Sequence, residues 1–293
     1  MMGTTVFRNY DQKSLDWWYN ARGLCGETEK LKAAQENGSN MCRQKYRSEL
    51  NIKLGDMPRE AIDIYYPTGN KPHPIHIFFH GGYWKSNDKE TSSYVTDALV
   101  PYGAITVIGE YTLIPEVRMD ELIRQCRQVI TWVWKNAKRI GGDQNKITIS
   151  GHSAGGHITA CMLATDWKRY DTNLPQTPIK SAVATSGLYD LLPVKLCSQN
   201  NDLHLTDEEV LNFSPINQNP FCKVPLLLPV GGDEGPEFMR QTKDFADSWA
   251  KKGMQTEVWI QPNHDHFTIM NQHMDGNCEF SKRLRKHLNI SNQ

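Results

Sequence analysis

The chain has 293 residues, and its 33 Lys and Arg balance its 33 Asp and Glu, so nothing in the charge points to a nucleic acid or another polyanion as a partner. A composition of 39% hydrophobic, 10% aromatic and 23% charged residues excludes a largely disordered or fibrous chain. No window approaches the roughly 20 uninterrupted apolar residues of a membrane helix, and Met1 to Tyr10 carries Arg8 but no apolar run of a secretory signal, so a cytoplasmic protein that spans no membrane is expected.

Seven cysteines without a C-x-x-C pair, Cys25, Cys42, Cys126, Cys161, Cys197, Cys222 and Cys278, suit neither a zinc site nor a closed disulfide framework, and read as small buried hydrophobes. N-x-S sequons at Asn37, Asn212 and Asn289 matter only in an exported chain and are read as chance.

Residues 1–58 are polar and lack a two-residue period; Leu15, Trp17, Trp18, Leu31 and Ala34 suggest one or two short helices around a loop at Gly38-Ser39-Asn40. This segment is expected to be an N-terminal extension or part of a lid. From about residue 60, short β-branched or aromatic runs alternate with stretches of helical length, the pattern of a mostly parallel sheet flanked by helices. Strands are predicted at Ala61–Tyr66, Ile75–His80, Ile105–Glu110, Lys146–Ser150, Ser181–Thr185, Pro225–Val230 and Thr256–Gln261, in a sheet of roughly eight. Helices are predicted near 90–100, 119–139, 154–165, 237–252 and 278–288. Pro193, Pro215, Pro220 and the polar run Ser198–Asp202 break the rhythm, so 187–222 is read as a cap insertion of short helices and loops. With no internal repeat, one α/β domain spanning 1–293 is expected.

The strongest chemical signal is Gly151-His152-Ser153-Ala154-Gly155, a G-x-S-x-G between a predicted strand and a predicted helix, the context of a nucleophile elbow. The serine of such a turn is strained and its backbone runs close to its neighbours, so the flanking positions tolerate no Cβ. Taken alone, the pattern also fits a glycine-rich turn with no chemistry. His80-Gly81-Gly82-Tyr83-Trp84, directly after another strand, suits an oxyanion hole: a tetrahedral intermediate needs converging backbone N–H groups, and Gly81 and Gly82 would donate beside Ala154.

In this fold the acid and then the base follow the nucleophile. His264 and His266 lie in the loop after the last predicted strand, whereas His273 and His287 belong to helical segments; His266 is the favoured base, with His264 supporting it or at the surface. The acid should follow Pro225–Val230, where Asp233 and Glu234 compete in Gly231-Gly232-Asp233-Glu234-Gly235; either can orient an imidazole. His152 with His157, or His264 with His266, lack further ligands at metal spacing, and no phosphate or dinucleotide loop follows a strand. No metal and no cofactor are expected.

Together, His80-Gly81-Gly82-Tyr83-Trp84, Gly151-His152-Ser153-Ala154-Gly155-Gly156-His157 and Asp265-His266-Phe267 resemble the kynurenine formamidase (arylformamidase) family of α/β-hydrolases. Ala61–Pro67, Ser186-Gly187-Leu188-Tyr189-Asp190, and Pro236-Glu237-Phe238 with Arg240-Gln241 extend the resemblance over roughly residues 50–285. The resemblance places the acid two residues before Pro236, on Glu234, where vertebrate members carry Asp. Trp17 to Arg22 departs from the family's usual Tyr-Ser-Pro-Ser, matching only at Tyr19. It implies the α/β-hydrolase fold and hydrolysis of N-formyl-L-kynurenine to L-kynurenine and formate through formyl-Ser153. It also implies a small-molecule partner, with homodimerisation open, and Tyr83, Trp84 and Tyr189 as candidates for the leaving-group side of the pocket, each of which could equally be core packing. A broad carboxylesterase acting on short aryl esters shares every triad argument and differs only in the pocket. A catalytically dead binding protein would normally lack Ser153 or His266.

Overall fold

The computed structural model describes residues 4–69, 72–287 and 289–290; Leu288, at the end of the predicted last helix, lies outside them. Eight strands form one sheet: β1 (Arg47–Lys53), β2 (Ala61–Tyr66), β3 (His73–Phe79), β4 (Ile105–Gly109), β5 (Gly142–His152), β6 (Ser181–Thr185), β7 (Leu226–Gly231) and β8 (Thr256–Gln261). Their order is β1-β2-β4-β3-β5-β6-β7-β8. The β1–β2 and β2–β4 pairs are antiparallel and every pair from β4 onward is parallel. Twelve α-helices accompany them among the described residues: α1 (Gln12–Trp18), α2 (Ala21–Leu24), α3 (Thr28–Lys45), α4 (Met119–Asn136), α5 (Ala154–Leu163), α6 (Trp167–Tyr170), α7 (Leu192–Leu196), α8 (Asn200–Leu203), α9 (Asp207–Phe213), α10 (Pro236–Lys251), α11 (Thr268–Asn271) and α12 (Glu279–His287). This is the expected α/β sandwich of a mostly parallel sheet between helical layers.

The physics of each layer is visible in burial. Central strands β2, β4, β6 and β7 are buried along their whole length, as expected of strands covered on both faces. The α4 helix turns Leu122, Ile123, Cys126, Val129, Ile130 and Val133 to the core, one stripe at helical spacing. Six of the seven cysteines are buried and all seven are free thiols.

Three expectations change. The sheet begins before residue 60: β1 lies within the polar N-terminal segment, mostly exposed, with a register irregularity between Glu49 and Ile52 and Asn51 at φ +57°. A bulged, polar edge strand hides its two-residue period. Gly38-Ser39-Asn40 is no loop but the interior of the 18-residue α3. Gly38 is there because a Cβ would come within 2.9 Å of Met274 Sδ and 3.2 Å of Tyr94 Cβ, while Ser39 Oγ donates to the Thr91 carbonyl and accepts from Tyr94 N–H. The stretch near 90–100 forms 3-10 turns, Ser93–Ala98 and Val100–Tyr102, rather than an α-helix.

Candidate active site

Strands β3, β5, β7 and β8 run parallel in the sheet, so the residues just past their ends gather at one edge, where open α/β sheets bind ligands. Ser153 follows β5 directly. Its φ of +57° and ψ of −117° are strained for a residue with a Cβ, and its N–H donates to the Thr185 carbonyl at the end of β6. The neighbouring glycines are required by contact: a Cβ on Gly151 would lie 2.1 Å from the Gly155 carbonyl oxygen, and one on Gly155 would lie 2.0 Å from that of Phe79. The turn therefore presents Ser153 at the head of α5 in a cavity of about 450 Å³.

The glycine loop after β3 lies against this turn. A Cβ on Gly81 would meet the His152 carbonyl at 2.7 Å and Ser153 Cβ at 3.1 Å, and Gly82 has φ +113°. Among the described residues, the Gly81, Gly82 and Ala154 N–H groups donate to no protein acceptor, which leaves them available to a ligand. His80 anchors the loop: buried, it stands 2.9 Å from Glu110 Oε1 and stacks on Tyr111 at 4.3 Å. Glu110 in turn accepts from Arg59 and from the backbone N–H of Lys89.

Of the two carboxylates after β7, Glu234 meets His266 and Asp233 does not. Glu234 is 1% exposed, its Oε2 lies 2.7 Å from His266 Nδ1, and its Oε1 accepts from the Ser186 hydroxyl and the Gly231 N–H. Three donors on one buried carboxylate offset its desolvation. Asp233 is exposed, and among the described residues only its backbone is engaged, donating to the His264 carbonyl. With Nδ1 against Glu234, His266 leaves Nε2 without a hydrogen-bond partner among the described residues. Asp265 Oδ1 accepts from the N–H groups of Phe267 and Thr268, shaping the loop that delivers the imidazole. His273 is buried with Nδ1 on the Met270 carbonyl, and His287 belongs to α12; neither lines the cavity.

Tyr83 lines the cavity, with its hydroxyl donating to the Tyr19 carbonyl at 2.7 Å and burial pushing its phenol well above the ordinary value. Trp84 and Tyr189, read as candidate substrate contacts, lie outside the cavity lining. Trp84 is fully buried and donates from Nε1 to His157 Nδ1, while His157 donates from Nε2 to the Phe213 carbonyl. That arrangement needs a neutral His157, and burial lowers its pKa to about 4. Tyr189 stacks on Phe245 at 4.0 Å and donates to the Ala184 carbonyl. Both are large aromatics whose polar atoms found protein partners, a pattern that sequence cannot distinguish from a pocket wall.

The two segments expected to cover the site contribute unequally, and the sequence singled out none of the lining residues of the first as substrate contacts. The N-terminal segment supplies Asn20, Ala21, Arg22, Lys32, Gln35 and Glu36 to the cavity, whereas the 187–222 insertion supplies Gln199. Tyr19 secures this wall: its hydroxyl donates to Glu237 and accepts from Gln241 Nε2, both at 2.8 Å. His152 also faces the cavity, its ring 4.5 Å from that of His266; burial, with His266 beside it, holds its pKa well below the usual imidazole value. Among the described residues, no three His, Cys, Asp or Glu side chains are grouped to hold a metal ion.

The BD-FAE family profile matches residues 62–228. A kynurenine formamidase of Salmo salar is 33% identical over 86% of this chain and 86% of its own length, and one of Danio rerio is 31% identical over 87% and 86%. The chain belongs to the kynurenine formamidase family of α/β-hydrolases. Among solved structures, one described as a thioesterase from a Silicibacter species superposes with a TM-score of 0.77 at 27% identity, covering 92% of this chain and 97% of that one. An esterase of Pyrobaculum calidifontis reaches 0.71 at 17% identity, over 96% and 98%, and shares the fold. No helix among the described residues is long and apolar enough to cross a membrane.

Proposed function

We propose that this member of the kynurenine formamidase family hydrolyses N-formyl-L-kynurenine to L-kynurenine and formate, in tryptophan catabolism, with Ser153 as nucleophile, His266 as base and Glu234 as the acid. The observation that carries the triad is the buried Glu234–His266 pair at 2.7 Å, on the same cavity as the strained Ser153 turn. Relatedness to the two fish formamidases across most of the chain favours a formamide over an ester as substrate.

In this mechanism Ser153 Oγ attacks the formyl carbon as His266 Nε2 removes its proton. Negative charge develops on the carbonyl oxygen, toward which the N–H groups of Gly81, Gly82 and Ala154 are free to point. Collapse breaks the carbon–nitrogen bond, and the proton held by His266 goes to the departing aryl amine. Water, deprotonated by His266, then cleaves formyl-Ser153, releasing formate and restoring the hydroxyl. Three hydrogen bonds fix the Glu234 carboxylate opposite the imidazolium that forms in each half-reaction. A cytoplasmic location belongs to the same proposal, supported by seven cysteines all present as free thiols.

The test follows both products. Wild type should release formate and L-kynurenine in equal amounts from N-formyl-L-kynurenine, and Ser153→Ala should release neither above background. Unchanged turnover by Ser153→Ala would remove the nucleophile from the account.

A further inference from the structure

The N-terminal wall of the cavity carries charges with no protein counterpart. Of the cavity-lining cations, Lys85 is committed to Asp202 and Gln199. Arg22 on α2 and Lys32 on α3 take part in no side-chain hydrogen bond or ion pair among the described residues, and the same holds for Glu36, one turn beyond Lys32 on α3. Positions 32 and 36 are four apart and so share a helix face. Elsewhere in this segment charges are used internally: Arg43 pairs with Asp63 at 2.7 Å and Lys45 with Asp97 at 2.8 Å. Lys13, Glu29 and Asp56 of the same segment also lack a side-chain partner among the described residues; what sets Arg22, Lys32 and Glu36 apart is that they line the cavity, and they include both signs.

The wall is also held in place. Tyr19 is bonded to Glu237 and Gln241, the Tyr83 hydroxyl donates to its carbonyl, and Gln35 donates to Asn271. A tied-down wall that carries an exposed guanidinium, an ammonium and a carboxylate on one cavity complements a ligand with a carboxylate and an ammonium of its own, the end group of a free α-amino acid. A planar guanidinium grips a carboxylate with two parallel N–H donors, which a lone ammonium does not.

We propose that Arg22, with Lys32, binds the α-carboxylate of the substrate and Glu36 binds its α-ammonium, so that α2 and α3 select aryl formamides bearing a free amino acid. This rests on the formamidase reading above. It separates the chemistry, at the sheet edge, from the selection, at the N-terminal wall.

The experiment compares N-formyl-L-kynurenine with formanilide, which has the same scissile aryl formamide and no amino acid, in wild type, Arg22→Gln and Glu36→Gln. Arg22→Gln should raise KM for formylkynurenine by about 10- to 100-fold with kcat little changed, and Glu36→Gln by several-fold, as expected for binding lost equally from ground and transition states. Both should leave formanilide within about twofold, a split that general damage to the wall would not produce. L-kynurenine should inhibit 4-nitrophenyl acetate hydrolysis competitively, with the inhibition constant rising in Arg22→Gln by the same factor as KM; this readout does not depend on formamide turnover. Unchanged formylkynurenine kinetics in both variants, or equal losses on both formamides, overturn the subsite. If wild type cleaves the ester, ignores both formamides and is not inhibited by L-kynurenine, the formamidase reading and the subsite fall together; if it ignores the formamides yet L-kynurenine inhibits in an Arg22-dependent way, only the reaction is wrong and the subsite stands.

Discussion

The sheet edge and the N-terminal wall enclose one cavity by different physical means. At the edge, backbone geometry decides: Gly151, Gly155 and Gly81 sit where a Cβ would strike a carbonyl at 2.0–2.7 Å, so the residue types are forced and stand out as motifs. At the wall, side chains decide. Tyr19 reaches Glu237 and Gln241, residues 218 and 222 positions away, and no local pattern in 1–58 announces that contact. The lesson is that close backbone approach writes a spaced signature into a sequence, whereas long-range side-chain ties do not.

Substitutions at the edge should have the largest effects. Ser153→Ala should lower kcat on the order of 10⁵-fold or more, measured under substrate saturation. Glu234→Gln should cost about 10³- to 10⁴-fold by misorienting His266, while Asp233→Asn, whose side chain is exposed, should stay within about threefold. Equal losses from the two would erase the distinction between the carboxylates. Gly155→Ala places a methyl group 2.0 Å from the Phe79 carbonyl and should cost about 3 kcal/mol or more in urea unfolding; a native-like midpoint would show that the elbow is not forced by backbone contact.

Effects at the wall should be smaller. Tyr19→Phe removes one hydroxyl that serves Glu237 and Gln241, and about 1–2 kcal/mol of stability is expected to go with it. Glu237 keeps Arg240, so activity should survive with a higher KM. A collapse of kcat instead would place Tyr19 in the chemistry rather than in the wall.

A pH profile of stability separates both regions from the core. Burial lowers His76 to about 3 and His157 and His273 to about 4, below the 6.5 of the unfolded chain. Unfolding therefore takes up protons in this window. The contribution of these residues is complete above pH 6.5 and is lost as pH falls toward 4, by about 1.4 kcal/mol per pH unit for each. Urea midpoints taken from pH 7.5 to 5 should decline, and His157→Gln should flatten the slope by about one quarter or less, since burial lowers His152 and His287 as well.

Much of this architecture was legible. The strands from Ala61 onward, the elbow at Ser153, the glycine loop at Gly81-Gly82 and the pairing of a late histidine with a carboxylate after β7 all follow from period, spacing and fold order. The residues alone left Asp233 and Glu234 open, because two adjacent carboxylates in a turn differ only in direction; the resemblance favoured Glu234, and it is Glu234 that meets His266. Trp84 and Tyr189 stayed open between pocket wall and core packing because a buried aromatic with an internal hydrogen-bond partner looks, in sequence, like a pocket aromatic. Gly38-Ser39-Asn40 misled because glycine serves close packing within a helix as well as turns. Arg22 and Glu36 were silent, since an exposed charge gains meaning only from what it lacks nearby.

Formamidase and esterase are separated by the ratio of kcat/KM for N-formyl-L-kynurenine to that for 4-nitrophenyl acetate, measured on one preparation. The formamide should be favoured by several orders of magnitude, with both activities lost in Ser153→Ala. A preferred ester, or inert formylkynurenine, would leave the triad standing and contradict the formamidase assignment.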